Sequence, residues 1–176
     1  SGTAGRSAAI SLLCIDECLT FFSYIHIRNK KSNEIKKVPI GELYESNLYE
    51  SKLYESKLYK EISDWEVLTP NGWSDFSGIS KLVKDSYVKI EFEDGTDIKC
   101  SCNHKFKLKS KEFVYAKDIN VDDELLGKDK NKIVKNIIQI NEEIDLYDLN
   151  DVEKDQEFYT NDIISHNCAF IDGVEE

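Results

Sequence analysis

The segment Ser86–Leu108, "SYVKIEFEDGTDIKCSCNHKFKL", decides the class of fold. Val88, Ile90 and Phe92 alternate with charged or aromatic neighbours, and Asp94-Gly95 follows them. Ile98, Cys100, Cys102, His104, Phe106 and Leu108 then recur at every second position. A period of two places each set on one face of a strand, and Asp-Gly between two such runs is a hairpin signal. If the second strand runs unbroken, all six of its alternating residues share one face.

The pattern continues on both sides. Phe21–Ile40, "FFSYIHIRNKKSNEIKKVPI", reads as two strands around a polar turn at Lys30–Asn33. Trp65–Phe76, "WEVLTPNGWSDF", turns at Pro70-Asn71-Gly72 between aromatic and β-branched flanks. "NKIVKNIIQI", "IDLYDLN", "EFYT" and "DIISHN" are further short strands. Many short strands separated by turn signals predict an all-β domain of antiparallel strands with non-local pairing.

One segment departs from this rhythm. Leu43, Leu48, Leu53 and Leu58 are each followed by Tyr in the repeat "LYESN LYESK LYESK LYKEI". A period of five winds its apolar pairs around a helix instead of stacking them into a stripe. The repeat is expected to be a short helical segment or linker in a tolerant surface loop, and without heptads it does not suit a coiled coil.

Composition sets further bounds. The chain has 176 residues, a formal net charge of −11 and 32% charged residues, with Arg6 and Arg28 as its two arginines. Such a surface does not suit nucleic acid or an anionic membrane, since phosphate neutralisation needs clustered cations. No apolar run approaches the roughly 20 residues of a membrane span, and no signal-peptide pattern opens the chain. The sequence contains no Met, which fits an internal piece of a longer product. Five cysteines, Cys14, Cys18, Cys100, Cys102 and Cys168, are an odd number, so a disulfide framework is not expected. The reading is a reducing, cytoplasmic setting, no cofactor and a monomer.

Three local signals carry chemistry. Cys18 follows Glu17 where an apolar run gives way to the first β pattern. Ser101, Cys102, Asn103 and His104 follow a strand. The sequence His166-Asn167-Cys168 sets an imidazole, a carboxamide and a thiol side by side. Each has an ordinary alternative. A lone Cys is most often a small core residue. Cys100, Cys102 and His104 could form a metal-binding module, although C-x-C-x-H is not zinc spacing and no second ligand pair accompanies it.

Taken in order, the three signals resemble the signature of inteins, the self-splicing Hint-type domains. "CLTFFSYIHI" from Cys18 is similar to the family's opening block. "DIKCSCNHKFKL" resembles the block with Thr-x-x-His, Ser101 standing for Thr and His104 for His. "LYDLNDVEKDQEFYTNDIISHNC" is similar to the closing blocks, with Tyr147-Asp148-Leu149 and His166-Asn167. The likeness runs from Cys18 to Asn167. Two positions depart: Ser101 keeps the hydroxyl of Thr and loses its methyl, and Gln156 stands where the family usually has a His.

The resemblance implies a horseshoe-like all-β fold and autocatalytic splicing in single-turnover fashion. Cys18 attacks the carbonyl of Glu17, His104 and Ser101 assist at the scissile amide, and Cys168 takes the acyl group. Asp148 couples these steps, Asn167 cyclises with help from His166, and Glu17 becomes joined to Cys168. The junctions are then Glu17–Cys18 and Asn167–Cys168. Residues 1–17 and 168–176 are flanks, and 18–167 form a mini-intein without room for a homing endonuclease. The partners are the chain's own flanking exteins, in cis, or in trans if the chain is a naturally split intein fused into one. Joining the flanks gives "SAAISLLCIDECAFIDGVEE", an apolar run ending in Asp-Glu. That resembles the Walker B strand of a P-loop ATPase, in which carboxylates hold Mg²⁺, and in particular the large terminase subunits of tailed phages. The cytoplasm would then be that of an infected host cell.

Overall fold

A computed structural model describes residues 17–49, 52–53 and 59–166. Among the described residues the hairpin at the centre of the sequence is built as expected. β9 (Tyr87–Phe92) pairs antiparallel with β10 (Asp97–Cys100), Ile90 opposite Ile98 and Val88 opposite Cys100. The turn is held by Asp94, whose Oδ1 accepts the Thr96 backbone N–H at 2.9 Å, while Gly95 takes a φ of 86° that suits glycine.

Around this hairpin the sheet grows through β14 (Lys132–Ile140) and β13 (Glu124–Leu125) on one side. On the other side come β1 (Leu19–Thr20), β15 (Ile144–Asn150), β8 (Gly78–Lys84), β5 (Tyr59–Glu61) and β4 (Lys52–Leu53). A second sheet orders β3 (Ile35–Pro39), β2 (Tyr24–Asn29), β6 (Trp65–Thr69) and β7 (Gly72–Asp75). A third orders β12 (Phe113–Tyr115), β11 (Lys105–Lys107), β17 (Ile163–His166) and β16 (Glu157–Thr160). Every pairing between these strands is antiparallel. The all-β expectation therefore holds, with the Lys30–Asn33 and Pro70–Asn71 turns where the sequence puts them.

The one long strand read from Ile98 to Leu108 is divided. β10 ends at Cys100, the chain turns over Ser101–His104 with the His104 N–H donating to the Ser101 carbonyl at 3.1 Å, and β11 begins at Lys105. The reason is a change of partner: β10 pairs with β1, whereas β11 pairs with β17 in another sheet. Burial alternates on either side of the break but not through it: Ile98, Cys100, His104 and Phe106 are fully buried, whereas in the turn Ser101 is buried and Cys102 is half-buried.

The repeat is helical over one turn, α1 (Glu42–Glu45), and later copies enter the sheet as β4 and β5. Residues 50–51 and 54–58 lie outside the described residues. Leu43 and Tyr44 are buried, whereas of the next pair Leu48 is exposed and Tyr49 buried against Trp65. A five-residue period cannot keep successive pairs on one side of a helix, and among the described residues the helix is confined to the first copy. Glu45 anchors that copy by accepting the Tyr147 hydroxyl at 2.6 Å and pairing with Lys81.

The core is continuous across the sheets. Ile25, Ile27, Ile79, Ile90, Phe92, Phe106, Leu149 and Phe158 lie in one cluster, each at most 1% exposed. Phe158→Ala should lower unfolding free energy by about 3–5 kcal/mol, the usual cost of emptying an aromatic core site. Phe22→Ala, at a side chain 80% exposed, should stay within about 0.5 kcal/mol of the parent. Urea denaturation compares the two.

Candidate active site

β1 lies between β10 and β15, with Leu19 opposite Cys100 on one side and Tyr147 on the other. One residue earlier the same registers carry Cys18 between Ser101 and Asp148. Ser101 and Cys18 are bonded in both directions: the Cys18 N–H donates to Ser101 Oγ at 3.0 Å, and the Ser101 N–H donates to the Cys18 carbonyl at 2.8 Å. Cys18, His104 and Asp148 are fully buried and Ser101 is 4% exposed. On the other side of Asp148 the ladder sets Ser80, whose hydroxyl bonds Asn150 Oδ1.

The turn that carries Ser101 also carries His104. It is fixed from outside by the Ala116 N–H, which donates to the His104 carbonyl at 2.7 Å, and by the Lys117 N–H, which donates to the Cys102 carbonyl at 3.0 Å. The imidazole packs edge-on against Phe106, with ring centroids 4.7 Å apart. Its Nε2 lies 2.9 Å from Ser165 Oγ, which meets Thr160 Oγ1 in turn. Nδ1 finds no partner of hydrogen-bonding geometry among the described residues.

Burial pushes the His104 pKa down to about 4, against the carboxylate and backbone carbonyl of Glu17, which both favour the charged ring. His166 adds a smaller downward push. At neutral pH His104 is therefore uncharged, with Nε2 beside the Ser165 hydroxyl and the ring close to Glu17.

The far end of the described chain arrives at the same place. β17 runs between β11 and β16, pairing Ser165 with Phe106 and with Phe158, and His166 with Glu157. His166 stacks edge-on against Phe113 at 5.3 Å, and its Nδ1 lies 3.0 Å from Glu17 Oε2. Glu17 and His166 are 149 residues apart in sequence and touch in the fold.

Of the residues expected at the site, Glu17, Cys18, Ser101, His104, Asp148 and His166 are described, and Asn167 and Cys168 lie outside the described residues. Gln156 stands at the entry to β16 with a φ of 57°. Three residues were not anticipated. Ser165 and Thr160 extend the polar contact behind His104, and Lys105 reaches Glu17 Oε1 at 3.3 Å. A serine inside the apolar run "IIS" of β17 was the one sequence cue to a buried hydroxyl. Lys105 carried no cue, since the pairing depends on the fold bringing the start of β11 beside Glu17.

The Cys100 thiol is fully buried and burial raises its pKa, so it stays protonated. No group of three or more His, Cys, Asp or Glu suited to a metal occurs among the described residues, and the imidazole of His104 is engaged with Ser165.

A buried neutral histidine gives a defined acid response. The unfolded chain accepts a proton near pH 6.5, whereas folded His104 resists it until about pH 4. Its contribution to stability is complete above the unfolded value and is lost as pH falls through the folded one. Between pH 7 and pH 4 the parent should lose on the order of 3 kcal/mol relative to His104→Gln. Urea midpoints at several pH values measure this; a difference that does not change with pH would contradict the burial of a neutral ring.

No family model and no curated protein matches the chain. Solved structures do. A consensus engineered intein (Cat) with an atypical split site matches at 40% identity, covering 70% of this chain and 92% of its own, with a TM-score of 0.52. The transcription factor IIB Mvu mini-intein matches at 23% identity, 85% and 99% coverage and a TM-score of 0.68. An intein from a hyperthermophile matches at 20% identity, 85% and 99% coverage and a TM-score of 0.71. The last two share the fold; the first combines 40% identity with almost its whole length. The chain belongs to the inteins, autoprocessing domains that splice themselves out of a precursor and act on their own flanking exteins.

Proposed function

We propose that splicing runs through Glu17, Cys18, Ser101, His104, Asp148, His166, Asn167 and Cys168, with 18–167 as the domain that leaves. The observation that carries this reading is the two-way bonding of Cys18 to Ser101 beside a buried, neutral His104.

In the first step the Cys18 sulfur attacks the Glu17 carbonyl, and the carbon–nitrogen bond breaks. The Cys18 S–H proton must end on the departing amine. His104 is uncharged at neutral pH, so it can take that proton and then deliver it to nitrogen. Ser101 Oγ accepts a hydrogen bond from the same N–H and holds the amide in place. The product is a thioester with a free amine. The fold has to supply the driving force, because the reverse reaction is favoured in an unstrained peptide.

The Cys168 thiolate next attacks the thioester and releases the Cys18 thiol, so one thioester replaces another. Free cysteine is only a few per cent thiolate at pH 7, and a neighbouring base speeds the exchange. Asp148, opposite Cys18 in the sheet register, serves as that base. The Asn167 side-chain nitrogen then attacks its own carbonyl with His166 as proton donor, leaving a succinimide on the excised domain and a free amine on Cys168. That amine takes the acyl group from sulfur, which forms the Glu17–Cys168 peptide bond.

The joined flanks, "SAAISLLCIDECAFIDGVEE", support a host of the terminase large-subunit class, with the insertion interrupting its Walker B strand. Free thiol chemistry suits a reducing cytoplasm, and all steps proceed within one monomer.

The test expresses the chain between two carrier proteins. Cys18→Ala should abolish ligation and upstream cleavage while leaving some downstream release. Asn167→Ala should retain the downstream carrier yet still shed the upstream one on addition of hydroxylamine. Downstream release from Asn167→Ala would contradict the cyclisation.

A further inference from the structure

Glu17 belongs to the flank that stays, yet the departing domain holds its side chain at both oxygens. The carboxylate is 13% exposed, with Oε1 3.3 Å from Lys105 Nζ and Oε2 3.0 Å from His166 Nδ1. Lys105 opens β11 and His166 ends β17, so the two contacts come from different strands of one sheet. β12 backs both: Tyr115 lies opposite Lys105 with its ring 5.4 Å from Nζ, and Phe113 packs on His166.

We propose that Lys105 and His166 form a carboxylate-recognition subsite that selects an acidic residue immediately before the upstream splice junction. This rests on the reading that the Glu17–Cys18 bond is the one attacked. The subsite fixes Glu17 through its side chain, and Ser101 fixes the next residue through its N–H. The scissile carbonyl lies between these two restraints and is held in place before attack, which is how positioning lowers a barrier. A neutral side chain at position 17 removes one restraint, and a cation there adds repulsion against Lys105. Asp is one methylene shorter and cannot span both partners from the same backbone position. Lys105 touches no reacting atom, so it is a positioning residue that sets the preference for the flank.

The test reads the rate of upstream thioester formation, as hydroxylamine cleavage of the full chain between carrier proteins. Glu17→Lys, which leaves the departing domain unaltered, should react about tenfold more slowly, the scale of one lost and inverted charge pair. Glu17→Asp should fall between the two. Lys105→Glu should be slowed to a similar degree, and combining Glu17→Lys with Lys105→Glu should return the rate to within about threefold of the parent. Thermal midpoints check that each variant is folded. Undiminished cleavage of Glu17→Lys would overturn the subsite, as would a double variant no faster than either single one. Cys18→Ala, run alongside, separates the two levels. Loss of cleavage in Cys18→Ala with full activity in Glu17→Lys defeats the subsite alone. Cleavage that persists in Cys18→Ala defeats the underlying reading and the subsite with it.

Discussion

The turn at Ser101–His104 is the constraint on which the site depends, because it joins the strands that hold the two ends of the domain. β10 before it pairs with β1, directly after Cys18, and β11 after it pairs with β17, which ends at His166. Both β1 and β17 have neighbours on each side, so neither end is a free edge. Their ladder hydrogen bonds must break before either end can shift. A four-residue bridge between two sheets therefore sets the distance between two positions far apart in sequence. Ser101 and His104 sit on that bridge, the first bonded to Cys18 and the second to Ser165 of β17.

The same arrangement explains the electrostatics. Cys18, His104, Asp148 and Ser165 are enclosed, so a charge formed there is weakly screened and a proton has a small set of places to go. Burial keeps His104 neutral, and the hydroxyl of Ser165 holds one of its nitrogens. Beside this enclosed cluster Lys105 and His166 meet the carboxylate of Glu17. An intein performs one turnover, so its substrate is a part of its own precursor chain. With the junction proposed at Glu17–Cys18, side-chain contacts to Glu17 correspond to substrate recognition in an ordinary enzyme.

Alternation and turn chemistry were legible because they are local. Val88–Phe92, the Asp94-Gly95 turn and the pairs flanking Lys30–Asn33 and Pro70–Asn71 follow from residues within a few positions of one another. The break after Cys100 was not legible, since the alternation in sequence continues through it and only the change of partner strand reveals it. The repeat misled in part for a similar reason. Its period suits neither helix nor strand, and contacts with Tyr147, Lys81 and Trp65 decide where the first two copies go. At the site, ordered blocks pointed to Cys18, Ser101, His104, Asp148 and His166. Ser165 and Lys105 gain their meaning only from β17 and β11 lying side by side.

The central claim is that the bonds on either side of 18–167 are exchanged for one bond between Glu17 and Cys168. Intact-mass analysis of the unaltered chain expressed between two carriers under reducing conditions tests it directly. The account predicts two products: the carriers joined through residues 1–17 and 168–176, and a free fragment of 18–167. That fragment should weigh one water less than its linear acid, the mark of a terminal succinimide. Full-length precursor that persists without either product, or a fragment released while the carriers stay separate, would contradict it.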